Sequence, residues 1–340
     1  MPQLRPRTLS RIVLPALAVL ACACASNERD QDPLGMTEEE RLGLYLENAA
    51  YYLELGDYDR MIFQAEKGLA LDPDNERFLF IYARGYLLRG SASDIQRSLD
   101  TLESLDVQDD WRVQSTWAMA LERKGVLYDE AADAVRTGER ATDAADPIAR
   151  ARELRDEAVV FWEESKAHFL ESAELRSGEI EPLNGLVRVS GLLREYDECV
   201  RWSKELLSSI DSAQRLIEDE LRAAEASADA EERAFRDLRA FRDLEIKTRL
   251  ALAEVHYRRD DYVSAADELD LVTVLDPELE QAYSQRAQVL FELGEFRRAK
   301  DSIQRYLELR SLREGAEGDP AVRRAFELSD ACDLAIERKG

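Results

Sequence analysis

The chain has 340 residues, 45% of them hydrophobic and 34% charged, a balance that belongs to folded protein and not to disorder. Its net charge of −25 excludes nucleic acid and anionic lipid headgroups as main ligands, because a phosphate binder needs a basic footprint. With only 9 Pro and 15 Gly, long stretches rich in Ala, Leu, Glu and Arg run without a breaker and read as helix.

The first segment reads as an address. Met1 to Arg11 holds three arginines and no acid, and Ile12 to Ala21 is an apolar run. That run is too short for a membrane span of ~20 residues, but it has the length of a secretory signal core. Val19-Leu20-Ala21-Cys22 closes it and resembles the lipobox of bacterial lipoproteins. The resemblance implies a signal peptide over 1–21, cleavage before Cys22 and lipid on Cys22, with Cys24 as the alternative. Because Ala23 and not an aspartate follows, it also implies the outer membrane, with the chain facing the periplasm. Each buried acyl CH₂ contributes ~0.8 kcal/mol, so two or more chains anchor a soluble body. Losing 1–21 takes the net charge to −28. Residues 22–37 are polar and aperiodic and read as a flexible tether that reaches at most ~50 Å.

The body from 38 to 313 carries a period. Leu42 to Asn75 holds two amphipathic stretches, split by Gly56-Asp57 and closed by Asp72-Pro73. Ala83, Tyr86 and Gly90 lie 34 residues after Ala49, Tyr52 and Gly56, and Ala118, Leu121 and Gly125 follow 35 further on. Near the end, Ala253 and Tyr262 precede Ala287 and Phe296 by the same 34, with Pro277 closing the first of these units. Ala49, Tyr52, Gly56, Tyr58 and Pro73 resemble the tetratricopeptide repeat, whose helix A packs against helix B. The resemblance implies an all-α, right-handed α-solenoid of helix pairs, clearest over 42–75, 76–109, 246–279 and 280–313. A weaker unit spans Pro182 to Ile210, around Tyr196, Cys199 and Leu206.

Two regions leave the period. Asp146-Pro147 reads as a cap with proline in the first turn, and no Gly or Pro follows until Gly178. This predicts either one helix of up to about 30 residues or two helices turning near Glu163-Glu164-Ser165. Asp211 to Asp261 has no repeat register, while Ile217, Leu221, Ala224, Ala228, Phe235 and Leu238 approach a heptad. It reads as an elongated helix pair or one very long helix, with a break near Ser227-Ala228-Asp229. Residues 314–340 read as a C-terminal capping helix, which an array needs at its end.

The chain offers no catalytic constellation. His168 and His256 are the only histidines, each with one carboxylate a helical turn away, Glu164 and Asp260. One imidazole and one carboxylate make neither a metal site nor an acid–base pair, and no phosphate loop, H-E-x-x-H or G-x-S-x-G occurs. Cys199 and Cys332 have no metal spacing and read as two isolated small apolar residues, with a single bridge between them as the alternative. Trp111, Trp117, Trp162 and Trp202 read as packing.

The repeat family lines its ligand groove with fixed positions of helix A. The resemblance carries that role to Arg77, Phe80, Arg84 and Leu87, to Arg112, Met119 and Arg123, to Arg188, and to Lys247, Leu250, Tyr257 and Arg258. In the middle of the array the mapped positions hold seven basic residues against Glu122, Glu181 and Glu254. Leu46 and Ala50 replace the Lys and Asn of the family's carboxylate clamp, so that ligand is not expected. The expected function is a membrane-anchored scaffold for a protein or peptide partner, possessing no cofactor, no metal, no small-molecule substrate and no enzyme activity. An accessory subunit of a secretion or surface-polymer export complex, or a regulator of a peptidoglycan-processing enzyme, fits the same residues.

Overall fold

The computed structural model describes residues 36–105, 109–139, 144, 146–223, 228–311 and 319–339. The signal segment, Cys22, Cys24 and most of the tether lie outside the described residues. Those described contain thirteen α-helices and no strand. They are α1 (Glu38–Glu54), α2 (Tyr58–Leu71), α3 (Glu76–Arg89), α4 (Ala92–Glu103), α5 (Trp111–Thr137), α6 (Pro147–Leu175) and α7 (Ile180–Leu192). There follow α8 (Tyr196–Ala223), α9 (Ala228–Arg258), α10 (Tyr262–Leu275), α11 (Glu280–Glu292), α12 (Phe296–Ser311) and α13 (Pro320–Lys339).

Local chemistry sets the ends. Thr37 and Glu40 form a reciprocal capping box that satisfies free backbone donors at the start of α1. Asp57, Asp146 and Asp261 cap α2, α6 and α10 through their carboxylates, with Pro147 in the first turn of α6. Between helix A and helix B the backbone turns through the left-handed region. Gly56, Gly90 and Gly294 do so at φ +69°, +81° and +74°. Arg194 and Asp260 occupy the same repeat position at φ +60° and +58°, without glycine's freedom. The turn geometry therefore persists in the two units where its usual residue is missing.

The helices form a one-dimensional stack. Each packs on the next, and beyond that the substantial contacts join alternate helices, α1 with α3, α3 with α5, α5 with α7 and α11 with α13. This is the all-α solenoid of tetratricopeptide-type pairs, in which each repeat packs mainly on its neighbours. Ala49, Ala83, Ala118, Ala253 and Ala287 share one repeat position and all are buried. A small side chain there lets helix A and helix B approach closely. α13 closes the C-terminal end on α12, with Asp319 capping α13 and taking both Nε and Nη2 of Arg310.

Three expectations need revision or are decided here. Gly125 does not end a helix: α5 runs straight through it for 27 residues. A Cβ at 125 would lie 2.5 Å from Trp162 Nε1, so this glycine admits the Trp162 indole of α6 and not a turn. Residues 147–175 form one helix of 29 residues, without a turn at Glu163-Glu164-Ser165. The third elongated stretch is a helix pair, α8 of 28 residues and α9 of 31. Its apolar stripe is only partly covered: Ile217, Leu221 and Leu238 are half-buried, Phe235 is exposed, and Ala224 lies outside the described residues.

Cys199 and Cys332 are free and buried in separate clusters, and burial pushes both thiols up. Trp162 and Trp202 are core residues, and Trp117 stacks on His168 with ring centroids 4.9 Å apart.

Candidate ligand groove

The A helices α3, α5, α7, α9 and α11 present the positions that the repeat register assigns to a groove. Two ion pairs cross this surface. Arg84 on α3 donates Nη2 to Glu181 Oε2 at 2.7 Å and Nη1 to Oε1 at 3.3 Å. Ser115 on α5 donates to the same Oε1 at 2.8 Å, and Arg84 Nη1 also donates to Thr116 Oγ1 at 3.1 Å. Burial works to raise the Glu181 carboxyl, but Arg84 and Ser115 outweigh it and hold it below the ordinary value. Beside it, Arg188 on α7 forks onto Glu122 on α5 at 2.7 and 2.6 Å. Burial works against the Arg188 charge, and the Glu122 carboxylate more than restores it.

Arg84 and Arg188 are therefore already engaged by carboxylates of the same surface. Arg258 is engaged likewise, donating Nε to Glu254 at 2.7 Å. The remaining mapped cations, Arg77, Arg112, Arg123 and Lys247, are exposed and form no ion pair among the described residues. Arg112 lies 5.6 Å from the ring of Trp111, a cation–π distance. These four supply the positive excess of the mapped positions, because the three acids are matched by three arginines.

The apolar members divide. Leu87 is 5% exposed among Ile95, Leu99, Ala120 and Leu121, so it is a core residue and does not line a groove. Phe80 is half-buried against Ala83, Leu105 and Val113, and Met119 is half-buried between two clusters. Leu250 and Tyr257 are half-buried on the C-terminal cluster, and Gln288 donates to the Tyr257 hydroxyl at 2.7 Å. Arg77 borders a cleft of about 440 Å³ together with Leu42, Gly43 and Leu46 of α1.

The two histidines sit in separate local contacts. His168 Nδ1 lies 2.6 Å from Gln114 Oε1, and burial lowers its pKa against the opposing pull of Glu171 and Glu164. His256 faces Asp261 at 3.1 Å and not Asp260, whose carboxylate takes the Tyr262 hydroxyl instead. Among the described residues no group of three His, Cys, Asp or Glu is placed to hold a metal ion, and no helix is long and apolar enough to cross a membrane.

The repeat period alone does not single out Leu44 and Tyr51 on α1 or Leu55 at its C-terminal cap. Leu44 is half-buried, and Tyr51 and Leu55 are exposed at 57% and 58%. Counting 34 residues back from Phe78 and Gly85, which pack on α2, reaches Leu44 and Tyr51.

No family model matches the chain, and none of the curated proteins matches it. Solved structures do. The chain is similar to a thermophilic tetratricopeptide protein of Thermus thermophilus at 16% identity, over 75% of this chain and 100% of that one, with a TM-score of 0.43. It is similar to PilF of Pseudomonas aeruginosa at 12% identity, over 84% and 97%, with a TM-score of 0.45. PilW, a widely conserved type IV pilus biogenesis factor, is similar at 13% identity over 73% and 98%, with a TM-score of 0.38. These likenesses concern the fold alone.

Proposed function

We propose that this chain is a lipid-anchored, non-enzymatic scaffold of the bacterial cell envelope, held at the outer membrane through Cys22 and facing the periplasm. Its inner face of A helices holds a segment of a protein partner. The observation that carries the binding reading is the set of exposed cations Arg77, Arg112, Arg123 and Lys247, without an ion pair among the described residues, which share the mapped repeat positions with half-buried Phe80, Met119, Leu250 and Tyr257. In a chain of net charge −25, such a surface favours a partner segment with carboxylates and apolar anchors. The anchor reading rests on the sequence Val19-Leu20-Ala21-Cys22 that follows an apolar run.

Exposed ion pairs contribute only ~0–1 kcal/mol each, so affinity is modest and falls with salt. A labelled peptide of alternating Glu and Leu, titrated into the full chain at low salt, tests the groove. Arg112→Glu with Lys247→Glu weakens binding several-fold, whereas Arg323→Glu on α13 leaves it unchanged. Equal loss from both changes refutes a groove site in favour of bulk charge. Mass spectrometry of the mature N-terminus tests the anchor: an unmodified Cys22 refutes it, and lipid on Cys24 moves its register.

A further inference from the structure

The two ends of the stack differ. At the C-terminal end α13 covers α12, whereas at the N-terminal end no described helix precedes α1. The consequence shows at one repeat position. Gly85, Ala120, Val189, Val255 and Val289 hold it in α3, α5, α7, α9 and α11, and all five are buried. Tyr51 holds it in α1 and is 57% exposed. One turn on, Leu55 is exposed as well, and two turns back Leu44 is only half covered. In α3 the same face packs onto the preceding helix B, where Phe78 fills the space above Gly68 and Gly85 lies against Ile62. The apolar stripe Leu44, Tyr51 and Leu55 is thus a helix-docking face that no described helix covers. Of the 17 residues of α1, only Ala49 is buried.

Charge decides what fits there. Residues 36–72 carry nine carboxylates against three cations. Glu47 and Glu54 lie along the stripe itself, exposed and without an ion pair among the described residues. They are seven residues apart, two helical turns. A second copy docking edge to edge would set these carboxylates against their own kind, and an anionic lipid surface would be repelled in the same way.

We infer that the open face of α1 takes an amphipathic helix of another protein, one whose apolar stripe is flanked by Lys or Arg. The helix adds to the stack where a preceding helix B would lie. Its apolar side chains cover Tyr51, Leu55 and Leu44, and its cations meet Glu47 and Glu54. This surface is separate from the groove and stands whether or not the groove binds.

The test titrates the full chain against two labelled peptides about five helical turns long. One has Leu at i, i+3, i+4 and i+7 with Lys elsewhere, and its twin has Glu for Lys. With Arg112→Glu and Lys247→Glu in place, so that the groove no longer takes a Glu/Leu segment, the Lys peptide binds at least about tenfold more tightly than the Glu twin. Tyr51→Asp with Leu55→Asp loses that binding although it adds negative charge, which bulk attraction would reward. Both side chains are exposed, so the variant keeps its helicity and melting point. Glu47→Lys with Glu54→Lys reverses the preference between the peptides. Undiminished binding by the Asp variant overturns the inference, as does a loss caused by Arg112→Glu in the groove. Concentration-dependent dimers in sedimentation that disappear in the Asp variant overturn it too, because a second copy then covers the face.

Discussion

Arg84 on α3 and Glu181 on α7 form a two-pronged ion pair although 97 residues separate them in sequence and α5 stands between their helices. Ser115 of α5 completes the contact from below, so one carboxylate ties three consecutive A helices together. The contact therefore links α3 to α7 across the helix that separates them.

Removing one partner leaves the other with its charge largely out of water. Glu181→Gln destabilises the fold by about 1–3 kcal/mol, read as a shifted urea midpoint. Arg84→Met costs a similar amount, and the double variant costs less than the sum. Because the folded carboxyl titrates below its unfolded value of ~4.3, this stabilisation is fully present above that pH. It is lost as pH falls through the lowered folded value, so the gap between wild type and Glu181→Gln closes on acidification. A gap independent of pH would show that the carboxylate charge is not what stabilises.

Three helical glycines separate close approach from open space. A Cβ at Gly125 meets the Trp162 indole, and one at Gly185 enters the Phe169 ring, whereas one at Gly43 meets nothing within 4 Å. Gly125→Ala and Gly185→Ala each cost about 1–3 kcal/mol by overpacking. Gly43→Ala stabilises by about 0.5–1 kcal/mol through helix propensity. Thermal melts of the three variants check the order.

The alanines between paired helices give a second packing test. Ala83 and Ala287 are 0% and 1% exposed at the same repeat position. Ala83→Leu and Ala287→Leu each lower stability by about 1–3 kcal/mol. Unchanged melting in both would refute the shared register.

Arg194 bears a left-handed backbone at a position glycine holds in three other units. Arg194→Gly relieves that strain and, after the added chain entropy, raises stability by roughly 0.5–1 kcal/mol. Leu193, one residue earlier, is right-handed at φ −74°, so Leu193→Gly destabilises instead. Paired denaturation curves decide between a strained turn and a merely flexible one.

The sequence by itself determined that the chain is helical and paired in its clear repeats, with several ends marked by Gly, Pro and capping residues. A cap such as Asp146 before Pro147 acts within one turn. The buried alanines from Ala49 to Ala287 recur because every repeat meets its neighbour in the same way. Such information is local or periodic, and a linear pattern carries it. Only the tertiary structure decided that Gly125 receives Trp162 inside an unbroken helix, since a glycine that ends a helix and one that admits a ring read alike. Only it showed that Leu87 is core and that Arg84 and Arg188 are spent on Glu181 and Glu122, because those partners sit on other repeats, 97 and 66 residues away in sequence. Tyr51 makes the same point from the end of the array. Its repeat position is buried in every inner A helix, and it is exposed because the neighbour that would cover it is absent from the described stack, which no property of its own segment records.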